Sequence, residues 1–276
     1  MNKLTAFYFV FIALISFMPA HALQISGTEE GVYEGEQVSF TEIYQDGHLV
    51  RLEDGQLSYH YHDGECLLAD NEHGVYIENT CKEIATEIAK QITQQIASMQ
   101  EEHKEGLAAA QKMAEMLQGK ESDFTLKKTS TGDVSGFNTT IYSAGPSKYW
   151  VSAELLSKIK KEIDYDELLK TQQQLLNAYS QANSLFNTME QKQNIEAQLM
   201  AKGYLMKQID SEAMNPMMLN MLSPETREAI LADMGEGSVV LEVASIENAK
   251  VNIAKYKPSG RKVSIAEYLH KTMLEE

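Results

Sequence analysis

Three Asp-Gly pairs, Asp46-Gly47, Asp54-Gly55 and Asp63-Gly64, punctuate residues 33–80 at intervals of eight and nine residues. Between them lie short runs that alternate apolar or aromatic residues with polar ones: Gln37 to Tyr44, His48 to Leu52 and Leu57 to His62. Asp-Gly tolerates the positive φ that a two-residue type I′ turn needs, so each pair ends one strand and starts its antiparallel neighbour. Cys66 to Asp70 and Val75 to Glu78 extend the pattern across Asn71-Glu72-His73-Gly74. The spacing predicts a meander of about five strands and little else for this stretch.

The two cysteines, Cys66 and Cys81, fall at the end of that meander. If Asn71–Gly74 closes a hairpin, Cys66 comes within a residue or two of facing Cys81. An isolated even pair in an exported chain reads as a structural disulfide. The alternative is a redox or metal-binding thiol pair, though fourteen intervening residues are too many for a C-x-x-C redox motif.

Thr80 caps a predicted amphipathic helix, with Ile84, Ile88, Ile92 and Ile96 leading into Met99 and bending near Gly106. A second β block follows at Phe124 to Ser130, Gly136 to Ser143 and Lys148 to Val151. Ser152 caps the next helix, and a further helix runs from about Asp166 to Leu199. Strands are expected at Tyr204 to Ile209, Ser238 to Val243 and Lys250 to Tyr256, and a closing helix at Ile265 to Met273. The expected fold is a single α+β domain over residues 23–276, with helical insertions at about 81–118 and 153–200.

Ahead of this lie Lys3 and an apolar run from Leu4 to Met18, then Pro19 and the small-residue site Ala20-His21-Ala22. This is the pattern of a signal peptide over residues 1–22, cleaved after Ala22. The run is about 15 residues, short of the roughly 20 that span a bilayer. The expectation is a soluble periplasmic protein, not transmembrane after cleavage. With 24 Lys+Arg against 40 Asp+Glu and a net charge of −16, the chain repels phosphate backbones, and it has no basic stripe for nucleic acid.

Several segments resemble an uncharacterised bacterial envelope family, the domain-of-unknown-function 4412 group. They are Asp63-Gly64 with Cys66 to Glu78, Gly136 to Tyr142 with Tyr149-Trp150-Val151, Gly203 to Met206, and Val243 to Glu247 through Tyr256-Lys257-Pro258. The resemblance implies a LolA/LolB-like half-barrel: a curved antiparallel sheet with long amphipathic helices against one face, able to hold acyl chains. No lipoprotein-handling residue carries over, because the motifs of those carriers are not matched here.

His60 and His62, two apart on a strand, project from one face and could serve a metal; equally, they form a solvated face with Tyr59 and Tyr61 inward. Met214, Met217, Met218 and Met221, with Met206 nearby, could pack, adapt to a ligand or bind copper. No G-x-S-x-G, H-E-x-x-H, phosphate-binding glycine loop or cysteine nucleophile is present, so no catalytic residue and no cofactor is expected. The leading expectation is a non-enzymatic carrier with an apolar groove for a lipid-like ligand or lipoprotein. Trp150, Met206 and the Met214–Met221 segment would line that groove. The alternatives are an envelope protein that binds a partner through its helices, and a periplasmic Cu/Zn-binding protein.

Overall fold

The computed structural model of the protein describes residues 21–30, 36–102, 125–145, 147–182, 195, 197–210 and 238–274. The Asp-Gly turns form as their chemistry requires: Asp46, Asp54 and Asp63 and the glycines after them all have positive φ. They separate β2 (Gln37–Gln45), β3 (His48–Glu53), β4 (Gln56–His62) and β5 (Glu65–Asp70), and the 71–74 turn leads to β6 (Val75–Thr80). Helix α1 (Cys81–Glu102) starts at once, with the Thr80 hydroxyl accepting from the Glu83 amide at 3.2 Å. A second meander follows: β7 (Lys127–Val134), β8 (Phe137–Ala144) and β9 (Ser147–Ser152). Buried Ser152 then caps α2 (Ala153–Glu162) by accepting from Leu155 N. Asp164 accepts from the Glu167 amide at the start of α3 (Tyr165–Ala182). The chain closes with β10 (Tyr204–Asp210), β11 (Ser238–Lys250), β12 (Arg261–Lys262) and α4 (Ile265–Leu274).

The two meanders are joined by a strand that the sequence reading does not anticipate, β1 (His21–Glu30). It pairs with β2 on one side and with β11 on the other, giving the order β12-β6-β5-β4-β3-β2-β1-β11-β10-β9-β8-β7. Every pairing is antiparallel except that of β12 with β6. The expected cleavage after Ala22 would remove two residues of this central strand, one of them the fully buried Ala22.

The sheet curls. Tyr204 on β10 donates to Glu42 on β2 at 2.7 Å, across β1 and β11. In a flat sheet those strands would stand about 14 Å apart. On the inner side Ile25, Tyr44, Tyr61, Ile77, Met206 and Val243 pack against Ile84 and Ile88 of α1, Leu155 and Ile159 of α2, Leu168 of α3 and Leu269 of α4. The outer side is buried too. Ile43, Val50, Leu52 and Leu67 lie under Val251, Ile253 and Tyr256, and Tyr149 and Val151 lie under Leu199.

These findings correct the expected architecture. The protein is mostly one large twelve-stranded antiparallel sheet with mostly short helices, not an α+β half-barrel with long helices on one face. The reason is the β1–β11 junction, which merges two meanders into one sheet, while the C-terminal segment covers the second face. Lys250 to Tyr256 is not a strand either: β11 ends at Lys250, and Asn252 caps a 3-10 turn at Ile253–Lys255. Residues 103–118, 183–194 and 196 of the expected helical insertions, and 1–20 of the signal, lie outside the described residues. Among those described, no helix is long and apolar enough to cross a membrane.

Candidate functional site

Strand alternation sets Phe40, Glu42 and Tyr44 on the inner face of β2, and Leu49, Arg51 and Glu53 on the inner face of β3. The register puts Glu42 directly opposite Arg51. Two inner positions that pattern alone would fill with apolar side chains are therefore charged. They satisfy each other: Arg51 Nη1 donates to Glu42 Oε1 at 2.9 Å, Nε donates to Glu53 at 3.0 Å, and Nη2 donates to Glu29 of β1. The guanidinium also sits 5.1 Å from the centre of the Phe40 ring. Phe40 in turn lies over Gly27, where any side chain would strike its ring and the Glu242 carbonyl.

The other oxygen of Glu42 accepts from the hydroxyls of Tyr44 at 2.5 Å and Tyr204 at 2.7 Å. Burial, and then the Glu42 charge, pushes both phenols well above their ordinary range. Burial works against the charge on Arg51, but Glu42 and Glu29 more than offset it and hold its proton more tightly than usual. Every group in this network is already occupied by a neighbour. It is a charged strut across three strands and β10.

The strut forms one wall of a cavity of about 460 Å3 beneath α1, α3 and α4. Glu42, Arg51, Glu53 and Ser58 supply its polar side; Leu49, Tyr59, Leu68, Ile84, Tyr268 and the Cys66–Cys81 disulfide supply the rest. The Tyr59 hydroxyl touches Cys66 Sγ at 3.3 Å, and burial raises the Tyr59 phenol above its usual range. Two carboxylates, Glu42 and Glu53, line the cavity beside the one guanidinium, so its polar wall carries a single excess negative charge. A larger hollow of about 770 Å3, between β6 and the first turns of α1 and α4, is lined by Glu78, Lys82, Glu83 and Glu87. It lies open to solvent, which leaves the smaller, better enclosed hollow as the stronger ligand site.

No family model matches this chain, and no curated protein or solved structure does. The site therefore has to be read from its own chemistry, without support for the resemblance drawn from the sequence.

The residues singled out from sequence are dispersed. Met206 is fully buried in the inner core, and Trp150 is half-buried on β9 with Lys207 Nζ 6.0 Å from its ring centre. Neither lines the cavity. Met214, Met217, Met218 and Met221 lie outside the described residues. Cys66 and Cys81 are bridged. His60 and His62 share a face, with Tyr59 and Tyr61 turned inward against the core. A third imidazole, His48, joins them: its Nδ1 lies 3.0 Å from His60 Nε2, and its ring stacks on His62 with centroids 3.7 Å apart. Among the described residues no group of three or more His, Cys, Asp or Glu is arranged to hold a metal ion.

Sequence reasoning missed Glu29, Glu42, Glu53 and Arg51. The available signal was a phase conflict: in Phe40-x-Glu42-x-Tyr44 and Leu49-x-Arg51-x-Glu53, charges stand in step with apolar residues.

Proposed function

We propose that this protein is a non-enzymatic, exported binding protein that holds a small amphiphile in the cavity beneath α1, α3 and α4. One observation carries the reading: a half-open hollow of about 460 Å3 has an apolar lining beside a self-paired charged wall. That volume falls within the roughly 300–1,000 Å3 of small-molecule sites, whose lining is likewise mainly apolar with a few fixed polar groups. Burial of an alkyl chain against Leu49, Leu68 and Ile84 supplies the affinity, at about 25 cal/mol per Å2 of apolar surface removed from water. The excess of carboxylates favours a cationic or hydrogen-bond-donating end and disfavours an anionic one. A periplasmic location belongs to the same proposal, supported by the N-terminal apolar run and by a disulfide suited to an oxidising compartment.

Native mass spectrometry of freshly purified protein, followed by calorimetric titration with dodecylamine and with dodecanoate, tests this. The expected result is one-to-one binding of dodecylamine, at least tenfold tighter than dodecanoate, and its loss in Leu68→Trp, whose indole fills the hollow. Binding of neither amphiphile by a protein purified free of small molecules would overturn the reading, as would binding unchanged in Leu68→Trp.

A further inference from the structure

The three imidazoles sit on the outer face, between two Asp-Gly turns that are also attachment points for helices. His48 follows Gly47 directly, and His62 precedes Asp63-Gly64. The turns abut: a side chain built on Gly47 would lie 3.6 Å from both Asp63 Oδ1 and His62 Nδ1. Each turn then makes one hydrogen bond to a helix end. The Gly47 amide donates to the carbonyl of Glu162, the last residue of α2, at 2.7 Å. The Cys81 amide, at the first residue of α1, donates to the Gly64 carbonyl at 2.8 Å.

We propose that His48, His60 and His62 form a proton-operated latch, and that their joint protonation loosens the attachment of α1 and α2 to these two turns. The present arrangement requires that neighbouring rings are not both protonated. A 3.0 Å Nδ1–Nε2 contact between His48 and His60 needs one nitrogen to donate and the other to accept, and it is lost when both rings carry two protons. Parallel rings 3.7 Å apart likewise become a like-charge pair if both His48 and His62 are protonated.

The charged groups around the cluster are carboxylates and two lysines. Asp63 Oδ2 lies 3.4 Å from His62 Nε2. Asp46 on the other turn acts on His48, and Glu78 on β6 acts on His60. Glu65 stands across the β4–β5 ladder from His62. Lys262 of β12 is already paired with Glu78, and Lys255 of the covering C-terminal segment lies over Tyr256. Carboxylates border the cluster, yet any two protonated rings within it repel each other at close range.

Burial first, and then the neighbouring imidazoles, lowers the protonation of both His48 and His60. The sign follows. Bases with depressed folded values favour the intact latch above about pH 6.5, their unfolded value, and that advantage is lost as pH falls through the depressed values. The latch stands on these contacts alone. That it would loosen the cover of the cavity and release a ligand rests on the binding reading above.

Amide exchange at Gly47 and Cys81 reads the latch without any ligand. After correction for intrinsic exchange, protection at both amides should fall at least tenfold between pH 7.5 and 5.0. The fall should share its midpoint with the imidazole resonances of His48 and His60, and in His60→Gln it should shrink at least threefold. If His60→Gln does not fold, the comparison of midpoints in the native protein decides. Unchanged protection, a midpoint at carboxylate pH, or an undiminished fall in folded His60→Gln would overturn the latch. Each result is independent of dodecylamine binding at pH 7.5.

Discussion

Replacing both bridged cysteines, Cys66→Ala with Cys81→Ala, tests how the N-terminal meander is held to α1. The bridge spans 15 residues and closes the β5–β6 hairpin onto the first residue of the helix. In the chain-entropy description, the lost constraint is about 2.1 + 1.5R ln 15 in cal/mol/K, which at 25 °C is about 3 kcal/mol. Both sulfurs are almost fully buried, so their removal adds a contact loss to that figure. With a urea dependence of about 3 kcal/mol per M for a chain of this size, the midpoint should move down by about 1 M. Equilibrium urea unfolding followed by circular dichroism measures it, and native protein unfolded under reducing conditions, which keeps both sulfurs, should show a shift in the same direction and no larger. A shift below about 0.3 M in both would refute the reasoning. It would mean that the 65–80 hairpin persists in the unfolded chain and that the bridge constrains little there. A large shift in the variant alone would point instead to lost packing around the sulfurs.

Arg51→Met should destabilise the protein by about 2–3 kcal/mol in the same urea assay. It leaves Glu29, Glu42 and Glu53 without their shared cation, and partial exposure of the pairs keeps the cost below that of a fully buried one. Adding Glu42→Gln should recover part of that loss; a double variant no better than the single one would show that the strut is not electrostatic. Gly260→Ala should release β12 from the sheet edge. Gly260 has a φ of +92°, and a side chain there would meet the Gly74 carbonyl at 2.1 Å. The expected sign is faster amide exchange at Arg261 and Val263, which donate to Gly74 and Tyr76; native rates would show that the edge tolerates the change.

The N-terminal meander was legible because its information is local. Asp-Gly fixes each turn, alternation fixes each face, and the cysteines then fall into register. The caps at Thr80 and Ser152 were legible for the same reason. β1 was not, although Leu23 and Ile25 alternate correctly. It pairs locally with β2, but its other partner β11 lies more than two hundred residues away, with His21 opposite Lys250, and no local pattern encodes that pairing. Without β1, two meanders read as sheet fragments among helices, which is how an α+β fold came to be expected where one continuous sheet forms. β12 was missed because two exposed residues carry no periodicity.

The candidate site was hidden by the same distance. Glu42 and Arg51 are nine residues apart and their pairing follows from one hairpin, yet Tyr204 reaches Glu42 only because the sheet curls across β1 and β11. A charged inner position is a liability in an isolated hairpin; here Arg51 and Tyr44 partner Glu42 locally, and a distant strand adds a further hydroxyl. His48, His60 and His62 make the complementary case. They lie on neighbouring strands of the same meander, and β3–β4 register alone sets His48 opposite His62. Local pattern could have assembled that trio, whereas the attachment of its turns to α1 and α2 required the tertiary fold. The chain thus carries a locally encoded titratable cluster on one face and a strut on the other that only the complete sheet can build. The two Asp-Gly turns are where the faces meet.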